Sequence, residues 1–492
     1  VLQKNAENRK KSMKRIYSVI SALVVTGSLF AGGLVTNTNQ SALYTRLQSR
    51  NASTSIDAVY YNPAGLTKLS DGFHFSLNNQ TIGQTQRVTT AYDPLNGSPK
   101  EYVGKVSAPV YPGVYAAFKT GKLALSLGFN PVGGGGGATY EDGLPSFEMP
   151  ISNLVPMLVQ HLTPLDQYIF ANTGTDPNFN GVTGYNSNIY FKGSSIYFGL
   201  QANASYKINE MLSVAVGGRY VMASNKYEGY IQDVTITAPE AHGGVQTPGN
   251  YLRRVAATPG LPAQNVAALN GVAALLDDAT SVEADATMKG SGITPILSVN
   301  FAPVGDLINI GLKYEFKTKM TLTTTVNEGK DGNGLFIQDS TAIADMPAMA
   351  ALGVDIRPSN RLLISGSFNY YFDKGVDYDG QADVEINKID KNFIEAALGI
   401  QVGITDNLFV SAGWLTTVTG VNENYQSDLK YSLNTNTFGG GLGFKVNNMI
   451  DINLGGSYTI YQEGSKTYAG GNATDIYNKN TWVAAIGLDF HF

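Results

Sequence analysis

Few residues in this chain could do covalent chemistry, and spacing does not bring them together. Cysteine is absent, which removes thiol nucleophiles, thiolate metal sites and disulfide staples at once. The four histidines are His74, His161, His242 and His491. None has a nucleophile elbow or comparable signature beside it, whereas a hydrolase or acyltransferase needs a nucleophile and base held together. The expectation is a protein that is not an enzyme and holds no metal or cofactor. What remains could act by shape. These are the turn Asn62, Pro63 and Ala64 inside "IDAVYYNPAGLTKL" (56–69), the run Gly133, Gly134, Gly135, Gly136 and Gly137 inside "GKLALSLGFNPVGGGGGATY", and two apolar stripes at helical spacing.

These groups need a scaffold, and composition narrows it. Charged residues make up 15% of the 492-residue chain, well under the roughly 25% of an ordinary soluble domain. The mean hydropathy of −0.08 is far below that of a bundle of membrane helices, so neither class fits. The formal net charge of −5 comes with no basic stripe to neutralise phosphates, which argues against nucleic acid as a partner. Near the start, "MKRIYSVISALVVTGSLFAGG" sets Lys14 and Arg15 before an apolar run from Ile16 to Ala31 and then small residues, the layout of a secretory signal. That run is shorter than the roughly 20 residues of a spanning helix. Residues 1–33 are read as a signal peptide with an N-terminal extension ahead of Met13.

Beyond residue 70 the dominant pattern is alternation of period two, which sends successive side chains to opposite faces of a strand. In "DLINIGLKYEF" Ile308, Ile310, Leu312, Tyr314 and Phe316 share one face, and Asn309, Lys313, Glu315 and Lys317 the other. "TWVAAIGLDFHF" repeats it, with Trp482, Ala484, Ile486, Leu488, Phe490 and Phe492 together. Short turns at 119–122, 207–210, 303–306, 357–360, 403–406 and 446–449 alternate with long polar connections, notably 133–193 and 226–289. These hairpins, with one strand before the first and one after the last, predict an all-β fold. It is a transmembrane antiparallel β-barrel of about 14 strands, with short periplasmic turns, long external loops and no free edge. The barrel takes up 71–492. Residues 34–70, with the Asn-Pro-Ala turn and a short helix near 51–60, precede the first strand on the periplasmic side and are expected to fold into the lumen as a hatch, or plug.

Both long connections contain helical stripes: Leu154, Met157, Leu158 and Leu162 in one, Val266, Leu269, Val272, Ala273 and Leu276 in the other. Such a stripe outside the membrane must bury itself. It either packs on the other helix over the barrel mouth or forms a greasy landing groove for an apolar ligand. The glycine run has two readings as well. Within the wall it would bulge the third strand and break the hydrogen-bonded seam; alternatively the strand ends at Asn130 and the glycines are loop.

The segment "DAVYYNPAGLTKL", the strand count, the glycine-broken third strand, the helical connections and the terminal Phe492 together resemble the FadL family. Its members are outer-membrane transporters for long-chain fatty acids and other hydrophobic compounds. The resemblance implies a multi-pass protein of the Gram-negative outer membrane, in contact with its lipid and inserted by the barrel assembly machinery through Phe492. It implies capture at external loops, passage into the barrel, hatch rearrangement and lateral release into the membrane. Asn62, Pro63 and Ala64 would be the gate that meets a kink in the third strand, and Gly133 to Gly137 would lie at or near the lateral opening. Family members that take fatty acids hold the carboxylate with basic residues inside the barrel. Arg219 and Lys313 are candidates because their strand phase points inward, the alternative being that lumen charges such as Glu315 pair with them. The competing readings are a general diffusion porin, which the hatch would block, and a surface adhesin or phage receptor.

Overall fold

The computed structural model describes residues 34–305, 307–376 and 388–492. The expected signal peptide, residues 1–33, lies outside the described residues. Among those described, fourteen antiparallel strands close on themselves. They are β1 (Gly72–Ala91), β2 (Lys100–Thr120), β3 (Leu123–Tyr140), β4 (Gly184–Lys207), β5 (Leu212–Thr237), β6 (Val282–Phe301) and β7, in two stretches (Ile308–Glu315 and Thr321–Asp331). The remainder are β8, also in two (Thr341–Ile343 and Met349–Ser359), β9 (Leu362–Tyr371), β10 (Ile394–Gly403), β11 (Leu408–Val418), β12 (Thr435–Lys445), β13 (Ile450–Tyr461, continued by Gly464–Thr467) and β14 (Thr474–His491). The ring is sealed where β14 pairs with β1, from His74 opposite His491 to Ala91 opposite Thr474. The 14-strand barrel expected from the alternation is borne out.

The alternation also decides the faces. Outward-facing Leu125, Leu127, Val216, Ile293, Leu297, Leu398 and Ile486 are exposed, while the residues between them point into the lumen. An apolar exterior around a closed barrel is stable only in lipid. No described helix is long and apolar enough to cross a membrane; the crossing is made by strands. The long connections are shorter than the 133–193 and 226–289 read from hydropathy, because β3 runs on to Tyr140, β4 starts at Gly184, β5 ends at Thr237 and β6 starts at Val282. Ladder hydrogen bonds continue beyond the membrane edge wherever a neighbour offers partners. Loss of apolar alternation therefore marks the end of the lipid belt and not the end of the strand.

Residues 34–70 lie inside the barrel and are almost entirely buried. They form α1 (Ala42–Arg46), α2 (Ala58–Tyr61) and a 3-10 helix (Pro63–Lys68); the helix expected near 51–60 is α2. The segment is knotted to itself by Arg50, whose guanidinium donates twice to Asp57 at 2.8 Å. It is tied to the wall by Arg46, which donates to Asn453 at 3.1 Å and Gln401 at 2.7 Å. Inward-facing glycines let its backbone approach the wall: a Cβ at Gly353 would lie 2.2 Å from the Ala52 nitrogen.

Candidate functional site

The β2–β3 ladder has a gap. The two strands pair from Thr120 opposite Leu123 to Val114 opposite Phe129, and again from Val106 opposite Ala138 to Gly104 opposite Tyr140. On the β2 side the gap contains Pro109 and Pro112, which cannot donate to a ladder. The β1–β2 register shifts there as well, between Gln80 and Ile82, and Val110 is pushed out to 68% exposure. On the β3 side lie Pro131 and the glycine run. Those glycines belong to the wall and not to a loop, and the β3–β4 register shifts twice among them, between Pro131 and Gly133 and between Gly134 and Gly136. Gly134 and Gly136 take φ of +74° and +77°, values that side chains resist.

The hatch fills this gap from within. Asn37 N donates to the Val132 carbonyl at 2.9 Å and Gly134 N donates to the Val35 carbonyl at 3.0 Å, so Val35–Asn37 form a short antiparallel bridge centred on Thr36 and Gly133. Asn37 also bonds the Tyr111 hydroxyl, which donates to the Pro131 carbonyl at 3.0 Å. The latch is held by the tyrosines of the Asn-Pro-Ala motif: Tyr60 donates to the Asn37 carbonyl at 3.1 Å and Tyr61 to the Thr38 carbonyl at 2.6 Å.

The Asn-Pro-Ala turn itself sits elsewhere, which corrects the expectation that it meets the kink of the third strand. Asn62 donates to Asn300 at 2.7 Å, the Ala64 nitrogen to Ser298 at 3.3 Å, and Ser205 donates to the Pro63 carbonyl at 2.7 Å. These partners are on β6 and β4, so the turn anchors the hatch while Val35–Asn37 touch the bulge. Sequence reasoning missed the latch because the contacts that join it to β3 are backbone to backbone. The pair of prolines in "SAPVYPG" on β2 was the available signal.

Arg219 and Lys313 do point inward and meet. Arg219 donates to Glu315 at 2.7 and 2.9 Å, and Lys313 donates to Glu315 at 2.7 Å and to the Tyr60 carbonyl at 2.8 Å. The Tyr60 ring lies 4.9 Å from one cation and 4.4 Å from the other. Both are thus occupied by one carboxylate and the hatch.

Above the barrel, the connections carry α3 (Pro145–Ser152), α4 (Leu154–Thr173), α5 (Pro248–Ala256) and α6 (Ala263–Ala279). Leu154, Leu158 and Leu162 are buried with Phe179, Leu252 and Leu276 in one core, against which Met157 and Leu269 pack; Val266 is only half-buried. The stripes therefore mostly hold the cap together, which corrects their assignment to ligand capture. Apolar residues left open are Tyr168 and Phe170 on α4 and Val272 and Leu275 on α6. α3 is docked by Glu148, which accepts from Tyr102 at 2.9 Å and Tyr185 at 2.8 Å. It is also docked by Asp428, between β11 and β12, which accepts from the Ser146 nitrogen at 2.7 Å. Burial pushes the Asp428 carboxyl up to about 6.

This docking places Phe147 against Phe191, 5.5 Å between rings, beside stacked Tyr227 and Phe336. They line an apolar pocket of about 50 Å³ under the cap. Phe191, Tyr227 and Phe336 share one apolar cluster with Met288, Tyr197 and Val132, with Leu34 and with the latch residue Val35. An apolar column thus runs from the cap to the gap in the wall. His74 and His491 bond each other at 2.8 Å where the barrel closes, and His242 bonds the Pro177 carbonyl at 2.5 Å. Among the described residues no cluster could hold a metal ion.

No family model matches the sequence, and no curated protein does. Solved structures do. A FadL homologue of Pseudomonas aeruginosa superposes with a TM-score of 0.57 at 14% identity, over 94% of this chain and 100% of that one. This chain has the FadL fold. The Pseudomonas putida toluene transporter TodX gives a TM-score of 0.52 at 14% identity, over 95% and 100% of the two chains. A TodX deltaS2S3 mutant, described as a monoaromatic hydrocarbon channel, gives 0.55 at 14% identity, over 92% and 99%. The FadL fold is thus matched along nearly the full length of each chain, hatch and barrel together.

Proposed function

We propose that this protein takes up hydrophobic compounds across the Gram-negative outer membrane and releases them sideways into the bilayer between β2 and β3. The observation that carries this reading is the apolar column that ends at an unpaired stretch of wall, closed by Val35–Asn37 and the bond from Tyr111 to the Pro131 carbonyl. Cargo enters at the cap, displaces the latch and leaves through the gap into lipid. This route never returns an apolar molecule to water, which would cost about 0.8 kcal/mol for each CH₂. Asn62, Pro63 and Ala64 serve as the hinge anchor of the hatch, and Gly133 to Gly137 line the exit. The cargo is a long-chain fatty acid or a neutral hydrocarbon such as an aromatic. Engagement of both Arg219 and Lys313 by Glu315 favours the neutral class, because a fatty-acid carboxylate would have to compete with that bond.

Removing residues 34–40 from the mature protein tests the exit. In vesicles the truncated barrel should deliver toluene or palmitate to the bilayer at least as fast as the intact one, with little gain in ion conductance. A large gain in conductance without faster delivery would sink lateral release and favour a porin.

A further inference from the structure

On the outside of the barrel, Lys192 of β4, Lys226 of β5, Lys289 of β6 and Lys319, between the two stretches of β7, are all exposed. They form a row. Lys226 lies opposite Ser194 and Lys192 opposite Glu228, so the first two are diagonal neighbours. Lys226 lies opposite Thr287 and Lys289 opposite Ser224, which makes the next two diagonal as well. Lys319 lies beside Gly292 of β6, nearer the periplasmic end than Lys289. Each stands roughly 11 to 15 residues beyond the periplasmic end of its strand, at or just past the roughly 9–11 residues a tilted strand needs to cross the hydrocarbon. Below Lys192, Lys226 and Lys289 the same outward face is apolar, with Leu200, Met222 and Ile293 exposed.

Carboxylates offset only part of the row. Glu228 serves both Lys192 and Lys226. Lys289 and Lys319 have no ion pair among the described residues. Asp285 lies opposite Glu228, on the far side of the row from the apolar belt, and accepts from Asn327. Four cations along the upper edge of a surface that lipid must cover match phosphates of the headgroup layer, and ammonium groups bind phosphate as point charges.

We propose that this face binds a phosphorylated glycolipid of the outer leaflet through Lys192, Lys226, Lys289 and Lys319. The inference rests on the barrel being embedded in a membrane with its cap outward. The test uses the full mature protein, either wild type or with the four lysines changed to Gln or to Arg. Each is reconstituted in phosphatidylcholine vesicles with or without a bis-phosphorylated diglucosamine lipid. Wild type and the Arg variant should unfold at a higher temperature when the glycolipid is present and retain it in native mass spectra. The Gln variant should lose both effects while still inserting into plain phosphatidylcholine. Equal shifts in the Gln variant would overturn the proposal, as would the same shift from free inorganic phosphate. Failure of every form to insert would instead overturn the membrane reading. If the fourfold Gln variant does not fold, K289Q/K319Q removes the two lysines without ion pairs and should halve the shift or more; an unchanged shift would count against the row.

Discussion

Gly133 shows how little room the latch leaves. A Cβ built there would lie 2.4 Å from the Val35 carbonyl oxygen and 3.1 Å from the Tyr197 ring. Gly133→Val must therefore expel the latch or shift β4, an overpacking cost of about 1–3 kcal/mol. The expected outcome is a folded barrel whose residues 34–40 become open to protease, with cargo delivery like that of the 34–40 truncation. Protection equal to wild type would show that the latch does not depend on a bare backbone at Gly133. At Arg219 and Lys313, strand phase was enough to point both side chains inward. It could not show that Glu315 takes both, since Arg219 reaches it from β5, with β6 between.

At the level of elements, the cap is a set of loops held to one another by a few buried carboxylates. Asp428 joins the β11–β12 connection to the first turn of α3, where its oxygen meets an otherwise unpaired helix N–H. Its carboxyl titrates near 3.8 in water and near 6 in place. Between those values the docked loop binds more protons than the free one, so docking weakens as pH rises through the window and the loss is complete above it. The full effect is at most about 3 kcal/mol. Amide exchange at Ser146 and Phe147, corrected for intrinsic rates, should be slower at pH 4 than at pH 7. Asp428→Asn should remove that dependence while keeping the bond. A pH-dependent difference that survives in the Asn variant would rule out Asp428 as its source. The helical stripes of α4 and α6 were legible from spacing, but what they bury against was not. Either partner offers the same apolar face, and only the chain path through Phe179 and Leu252 brings them into one core.

For the whole molecule, the hatch decides what kind of barrel this is. Many of its polar groups bond the lumen wall, as Arg46 and Asn62 do, so it fills the bore by hydrogen bonding as well as by volume. Deleting 34–66 should convert the protein from a poor ion conductor to an open pore in planar bilayers; an intact protein that already conducts freely would undo the transport reading. Alternation of period two, six tight turns and the 34–70 segment before the first strand were sufficient to specify a closed membrane barrel with something in its lumen. Those features follow from local geometry, in which side-chain period and turn length leave one consistent arrangement. The place where the wall opens is a tertiary fact. Val35–Asn37 pair with Val132–Gly134 through main-chain groups that every residue has, so their sequence carries no mark of the partner. The external lysine row is tertiary for the same reason: its members come from four strands, and only the ladder register brings them to one edge of the lipid belt.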